Sequence, residues 1–134
     1  MFDAVALPHA TRTRVPNTRA ALNVGELARE RGVHGPFHDR LMTAFWAEDL
    51  DISDPLVLAA EGAAFGLDRD DVIDVATTFR YQDRVDASSA AMHELGAGGV
   101  PAWVIDDRVL VPGAQPHDVF DQVMQKLGFE PLAG

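Results

Sequence analysis

Cysteine is absent from the 134 residues of this chain. That excludes disulfides, zinc–thiolate sites, iron–sulfur ligation and any cysteine nucleophile within it. It says nothing about compartment, because there is no thiol to keep reduced. Basic charge is scarce, with 11 Lys and Arg against 21 Asp and Glu and a net charge of −10. The imbalance is uneven: residues 1–40 carry six arginines against four acids, so the remainder carries −12. Such a surface repels phosphate backbones, and no nucleic-acid partner is expected. The early group Arg12, Arg14 and Arg19 reads as solvated surface, with docking to an acidic partner as the less common use. No apolar run reaches the roughly 18 residues that suggest a membrane span, and no basic start leads into an apolar stretch and a cleavage site. The expectation is a cytoplasmic protein with neither membrane segment nor signal peptide.

What is present is the balance of one ordinary globular domain, 47% hydrophobic and 24% charged. Residues 1–16 show no period and contain Pro8 and Pro16, which reads as an irregular arm. After Asn17, Ala20, Ala21, Val24, Leu27 and Ala28 share a helical face that Gly32 ends. A second helix is expected from near Pro36, burying Phe37, Leu41, Met42, Phe45 and Trp46. Asp54 followed by Pro55 opens a third, with Leu56, Ala59, Ala60, Ala63, Ala64 and Leu67 inward. Asp68 caps a fourth through Val72, Val75, Ala76 and Phe79, and Tyr81, Val85, Ser88, Met92 and Leu95 line a fifth. The period then changes. Ala102–Ile105 and Val109–Val111 form a hairpin around Asp106-Asp107-Arg108. Pro116 opens a last helix with Val119, Phe120, Val123, Met124 and Leu127 inward. The expected class is α+β and mostly helical: a helical subdomain over 17–96, then a loop, hairpin and terminal helix over 97–134.

Few residue groups suggest chemistry. His34 and His38 stand four apart, but Gly35 and Pro36 between them imply that His34 precedes the helix and that the pair diverges, so no metal site is expected. Asp49–Asp54 begins like a calcium loop but lacks its glycine and its closing acid. No nucleophile-elbow pattern places a serine for catalysis. Met42 and Met92 read as core fillers. The most informative local feature is Gly98-Gly99-Val100-Pro101 at the mouth of a strand. A cis peptide there turns the Val100 backbone outward, free to pair with an extended peptide or a thiol ligand.

Several segments together resemble the DsbA-like thioredoxin family, in particular its FrnE-like branch. They are Pro16-Asn17-Thr18, Phe37-His38-Asp39, Ala44-Phe45-Trp46 and Asp51–Pro55. More specific are Gly99-Val100-Pro101-Ala102-Trp103-Val104-Ile105 and Gly113-Ala114-Gln115-Pro116. The resemblance runs from about Leu7 to Leu127. In that family a first strand, a helix headed by Cys-x-x-Cys and a second strand precede a helical insertion, and two strands and a helix close the fold. The resemblance implies that this chain is the insertion with the closing hairpin and helix, without the Cys-x-x-Cys half. It also implies that Pro101 matches the family's cis-proline and Val100 its peptide-binding residue. Gly98 replaces the usual Ser or Thr, and Asp106-Asp107 replaces the common Asp-Gly turn. A related branch, the glutathione-dependent isomerases, uses the same loop to hold glutathione.

The resulting expectation is a redox-inactive module that needs no cofactor. Its ligand site would be Gly99, Val100 and Pro101, and it would self-associate as a homodimer through the Ala102–Ile105 edge. The alternative is one part of a thiol–disulfide oxidoreductase or glutathione-dependent isomerase, completed by a separate half. The Met1–Leu7 arm folding back as a substitute strand is the rival to the dimer.

Overall fold

The computed structural model describes residues 8–11 and 13–130. In chain order its elements are α1 (Arg19–Glu30), α2 (His34–Trp46), α3 (Pro55–Ala63), α4 (Arg69–Thr78), α5 (Gln82–Glu94), β1 (Ala102–Ile105), β2 (Val109–Pro112) and α6 (His117–Lys126). The α+β, mostly helical class is as the sequence implies. Two compact units divide within α5, at Asp86 and Ala87. The Met1–Leu7 arm and Arg12 lie outside the described residues.

In the first unit, short polar side chains set where helices begin. Asn17 Oδ1 accepts from the Arg19 amide at 2.9 Å, Asp54 Oδ1 from Leu56 at 2.8 Å and Asp68 Oδ1 from Asp71 at 3.0 Å. Each occupies an amide that the first helical turn leaves without a carbonyl. Gly32 and Gly66 end α1 and α3 at positive φ, where a side chain would be strained. α4 packs on both α1 and α3, and α2 packs on α1. Val24, Leu27, Phe37, Leu58, Val72 and Val75 are all essentially buried at their meeting point. Arg40 is forked between two carboxylates, reaching Glu48 at 2.7 and 2.8 Å and Glu61 at 2.5 and 3.2 Å. These hydrogen bonds hold the Glu48 carboxyl below its ordinary pKa. Arg14 pairs with Asp51 at 3.1 Å, while Arg19 lies over the Phe79 ring, so both early arginines serve the unit's own surface.

Several sequence expectations need correction here. α3 turns Leu58, Ala59 and Gly62 inward, whereas Leu56 is 56% exposed and Ala60, Ala63 and Ala64 are exposed too. Apolar residues run nearly around this helix, so periodicity alone selects no face; the close approach of a neighbour does. A Cβ on Gly62 would lie 3.2 Å from Leu67 Cδ1, and only glycine admits that contact unchanged. α2 begins at His34, two residues before Pro36, because the first helical turn needs no proline N–H. His34 and His38 therefore do not diverge: their rings stack at 5.7 Å between centroids. Met42 is exposed rather than a core filler.

The sequence reading did not single out Asn23, the buried polar side chain of α1. Its Oδ1 accepts from the Tyr81 amide at 2.9 Å, and its Nδ2 donates to Arg19 O and Gln82 Oε1, each at 3.0 Å. It thus fixes the start of α5 to α1 by satisfying groups that would otherwise be buried without partners.

The second unit is built more thinly. β1 and β2 form a two-stranded antiparallel sheet, pairing Ala102 with Pro112, Trp103 with Val111, Val104 with Leu110 and Ile105 with Val109. The Trp103 ring meets Phe120 of α6 edge-on at 5.6 Å. Among its described apolar residues only Ala97 and Val111 are buried. Neither α5 nor α6 has a buried residue, contrary to the expected inward faces: Leu95 and Met124 are exposed, while Val119, Phe120, Val123 and Leu127 are half-buried. Two strands of four residues offer too little surface to cover them. At the turn, Asp106 and Asp107 both adopt positive φ, 54° and 51°, a conformation that glycine tolerates better.

Two substitutions test this account. Asn23→Ala strands the Tyr81 amide and is expected to cost about 2 kcal/mol in denaturant unfolding. Asn23→Leu should not recover it, since an apolar side chain accepts no hydrogen bond; a Leu variant as stable as wild type would contradict the assignment. Asp107→Gly should stabilise the hairpin by about 1 kcal/mol, read as a later loss of the Trp103 signal in urea.

Candidate functional site

Gly96, at φ +89°, ends α5, and the Ala97 amide closes back on Met92 O at 3.0 Å. The chain then runs through Gly98 and Gly99, whose Cβ positions face open space, into the Val100–Pro101 peptide, which is cis. Pro101 O accepts from the Gly113 amide at 2.8 Å, which ties the strand mouth to the end of β2. Gly113 itself has positive φ, and Gln115 Nε2 donates to Pro112 O at 2.6 Å. The two sequence motifs, Gly99–Ile105 and Gly113–Pro116, are therefore brought together by the hairpin register.

Beside this loop lies an open cleft of about 550 Å³. One wall is α5, through Ser88, Ser89, Met92 and His93; the other is Ala97–Val100 with Ala102. Val100 is 97% exposed, and no hydrogen bond joins its backbone to another described residue. Of the residues expected to form the site, Gly99 and Val100 line the cleft directly, while Pro101 sits next to it with its carbonyl engaged by Gly113. The sequence reading missed Ser88, Ser89 and His93 as cleft residues, and it took Met92 for core. The available signal was a run of small residues, Ala87-Ser88-Ser89-Ala90-Ala91, in the helix that precedes the Gly98-Gly99 loop.

The cleft is lined mostly by apolar groups, with serine side chains, an imidazole and backbone at its walls, and it holds no thiol that could exchange disulfides. Away from it, His34 Nε2 lies 3.2 Å from Arg29 Nη2, and burial together with Arg29 keeps this imidazole below its usual pKa. The stacked pair is thus held as packing on the helical unit. Among the described residues no group of three or more His, Asp or Glu side chains converges as a metal site, and no helix is long and apolar enough to cross a membrane.

Comparison with known proteins agrees with this geometry. The DSBA-like thioredoxin domain matches residues 5–125. The uncharacterized protein YwbO of Bacillus subtilis is 31% identical over 110 residues, covering 81% of this chain and 54% of that protein. The crystal structure of a probable DsbA oxidoreductase from Streptomyces coelicolor superposes with a TM-score of 0.81 at 31% identity, covering 99% of this chain and 58% of that one. The chain thus spans a little over half the length of each. With its match covering most of the sequence, this chain belongs to the DSBA-like thioredoxin domain family.

Proposed function

We propose that this chain is a redox-inactive, ligand-binding module of the FrnE-like branch, and that it holds an extended peptide against the Val100–Pro101 loop. The observation that carries the reading is the exposed, unpaired backbone of Val100 at the rim of the α5 cleft. An extended peptide pairs with such a backbone as a strand does, and a neighbouring cleft takes one of its side chains. Met92 suits an apolar side chain, and Ser89 offers a hydroxyl to its flank. With no cysteine, the chain supplies neither the attacking thiolate nor the resolving one.

A second reading is favoured by the length of the relatives, of which this chain spans 54% and 58%. In it, the thiols of an oxidoreductase or glutathione-dependent isomerase lie outside these residues, and the chain contributes the proline-loop wall of the shared site.

An NMR titration with carboxymethylated insulin B chain, an extended peptide free of reactive thiols, tests the first reading. Amide signals of Gly98, Gly99, Val100, Ala102, Ser88 and Met92 are expected to shift together. Val100→Pro, which removes the pairing N–H, should weaken binding at least tenfold (about 1.4 kcal/mol). No shift at millimolar peptide, or binding unaffected by the variant, contradicts it. Reduction of insulin disulfides by the purified chain should stay at the buffer rate. Reduction that appears only when a Cys-x-x-Cys-bearing polypeptide of the family is added, and exceeds the sum of the separate rates, favours the second reading.

A further inference from the structure

His34 and His38 stand one helical turn apart, and because α2 begins at His34 both belong to the same helix. The sequence spoke against a metal here only because the two were expected to diverge. Instead their rings stack, with 5.7 Å between centroids and 16° between planes. His38 is exposed, so its ring is free to turn about the Cβ–Cγ bond. Arg29 of α1 reaches up to the pair. Its Nη2 lies 3.2 Å from His34 Nε2, and its Nε lies 3.5 Å from the Glu26 carboxylate. A guanidinium only donates, so His34 Nε2 carries a lone pair and the ring proton sits on Nδ1. The Glu26 side chain is 15% exposed, whereas that of Arg29 is 59% exposed. A cationic group that enters from solvent thus bridges an imidazole lone pair and a mostly buried carboxylate.

We propose that this place takes a divalent transition-metal ion of the zinc type when Arg29 swings out, held by His34 Nε2, a ring nitrogen of His38 and the Glu26 carboxylate. Two imidazoles and a carboxylate suit nitrogen-preferring ions such as Zn²⁺, and three protein ligands leave a fourth position to water. The three side chains do not converge while the guanidinium stands among them, so no preformed cluster exists among the described residues. Swinging Arg29 out is cheap because it is already largely in water. The first turn of α2 is the positive end of its helix, which by itself repels a cation. Glu26 is therefore required as counter-charge, and it needs a new cationic partner once Arg29 has left. Protons compete weakly for the site. Arg29 and Glu26 from α1 and His38 from α2 are the charges that act on His34, and burial together with Arg29 keeps it neutral. With the ion bound, α1 and α2 are joined by coordination where the free chain has packing and one exposed arginine. The proposal concerns the helical unit and does not depend on a peptide at the Val100–Pro101 loop.

Calorimetric titration of the full chain with Zn²⁺ near neutral pH is expected to show one ion per chain, with the His34 and His38 imidazole signals shifting together in NMR. Affinity should fall as the pH is lowered through the histidine range, because a protonated imidazole is no ligand. His34→Gln, His38→Gln and Glu26→Gln should each weaken binding at least tenfold, while His93→Gln and His117→Gln leave it unchanged. Arg29→Gln is the most telling variant: removing the competing cation should tighten binding, whereas a merely structural arginine would leave it unmoved or weakened. Saturating Zn²⁺ should also raise the urea midpoint of the Trp46 signal, since the ion binds the folded unit. No binding at millimolar Zn²⁺ overturns the proposal. So does binding that survives His38→Gln, or an affinity that Arg29→Gln fails to raise. If the His34 or Glu26 variant unfolds, the exposed His38 variant and the imidazole signals of the wild-type chain still decide.

Discussion

Apolar side chains leave water only where enough chain surrounds them, and the two units meet that condition to different degrees. In Met1–Asp86, α1 to α4 bring Val24, Leu27, Phe37, Leu58, Val72 and Val75 into one enclosed cluster. Fully burying a side chain of this size stabilises by roughly 1.5–3 kcal/mol, which gives the helical unit a core of its own. Asn23 depends on that enclosure as much as it serves it, since its three hydrogen bonds count because water cannot replace them. In Ala87–Gly134, by contrast, Ala97 and Val111 are the described apolar residues that reach full burial. A hairpin of that size is marginal in water unless something further covers it.

The functional reading follows from the same contrast. A segment with exposed Val100, Trp103 and Val104 leaves apolar surface in solvent, and the proposed peptide site lies at its rim. Gly98 and Gly99 give the loop room, the Gly113 amide anchors Pro101, and α5 contributes a wall of small and flexible side chains.

Much of this was legible in the residues. Asp54-Pro55 and Asp68 marked helix starts because their carboxylates have one obvious use, and the hairpin was visible in the switch from helical to alternating apolar spacing. The Gly-Val-Pro motif led to the Val100–Pro101 loop because few other contexts place those residues before a strand. What was hidden depended on contacts distant in sequence. Nothing local distinguishes the Leu58–Gly62 face of α3 from the Leu56–Ala63 face until Leu67 packs against Gly62. Asn23 looks like a solvent residue until Tyr81 and Gln82 arrive. Inward faces were expected on α5 and α6, yet neither helix buries a residue, because periodicity records only that a face is apolar and not whether these residues cover it. Ser88, Ser89 and His93 escaped notice as site residues for the same reason, since the cleft they line is made by the loop that follows them.

The chain carries two tryptophans, Trp46 in the helical unit and Trp103 in the hairpin unit, so each unit has its own fluorescent reporter. Urea unfolding of the Trp103→Phe and Trp46→Phe variants compares the two units directly. Because only the helical unit closes its own core, the Trp103 signal is expected to change at clearly lower urea than the Trp46 signal. Coincident midpoints would mean that the chain unfolds as one cooperative body, and would contradict the account of a helical unit with a core of its own.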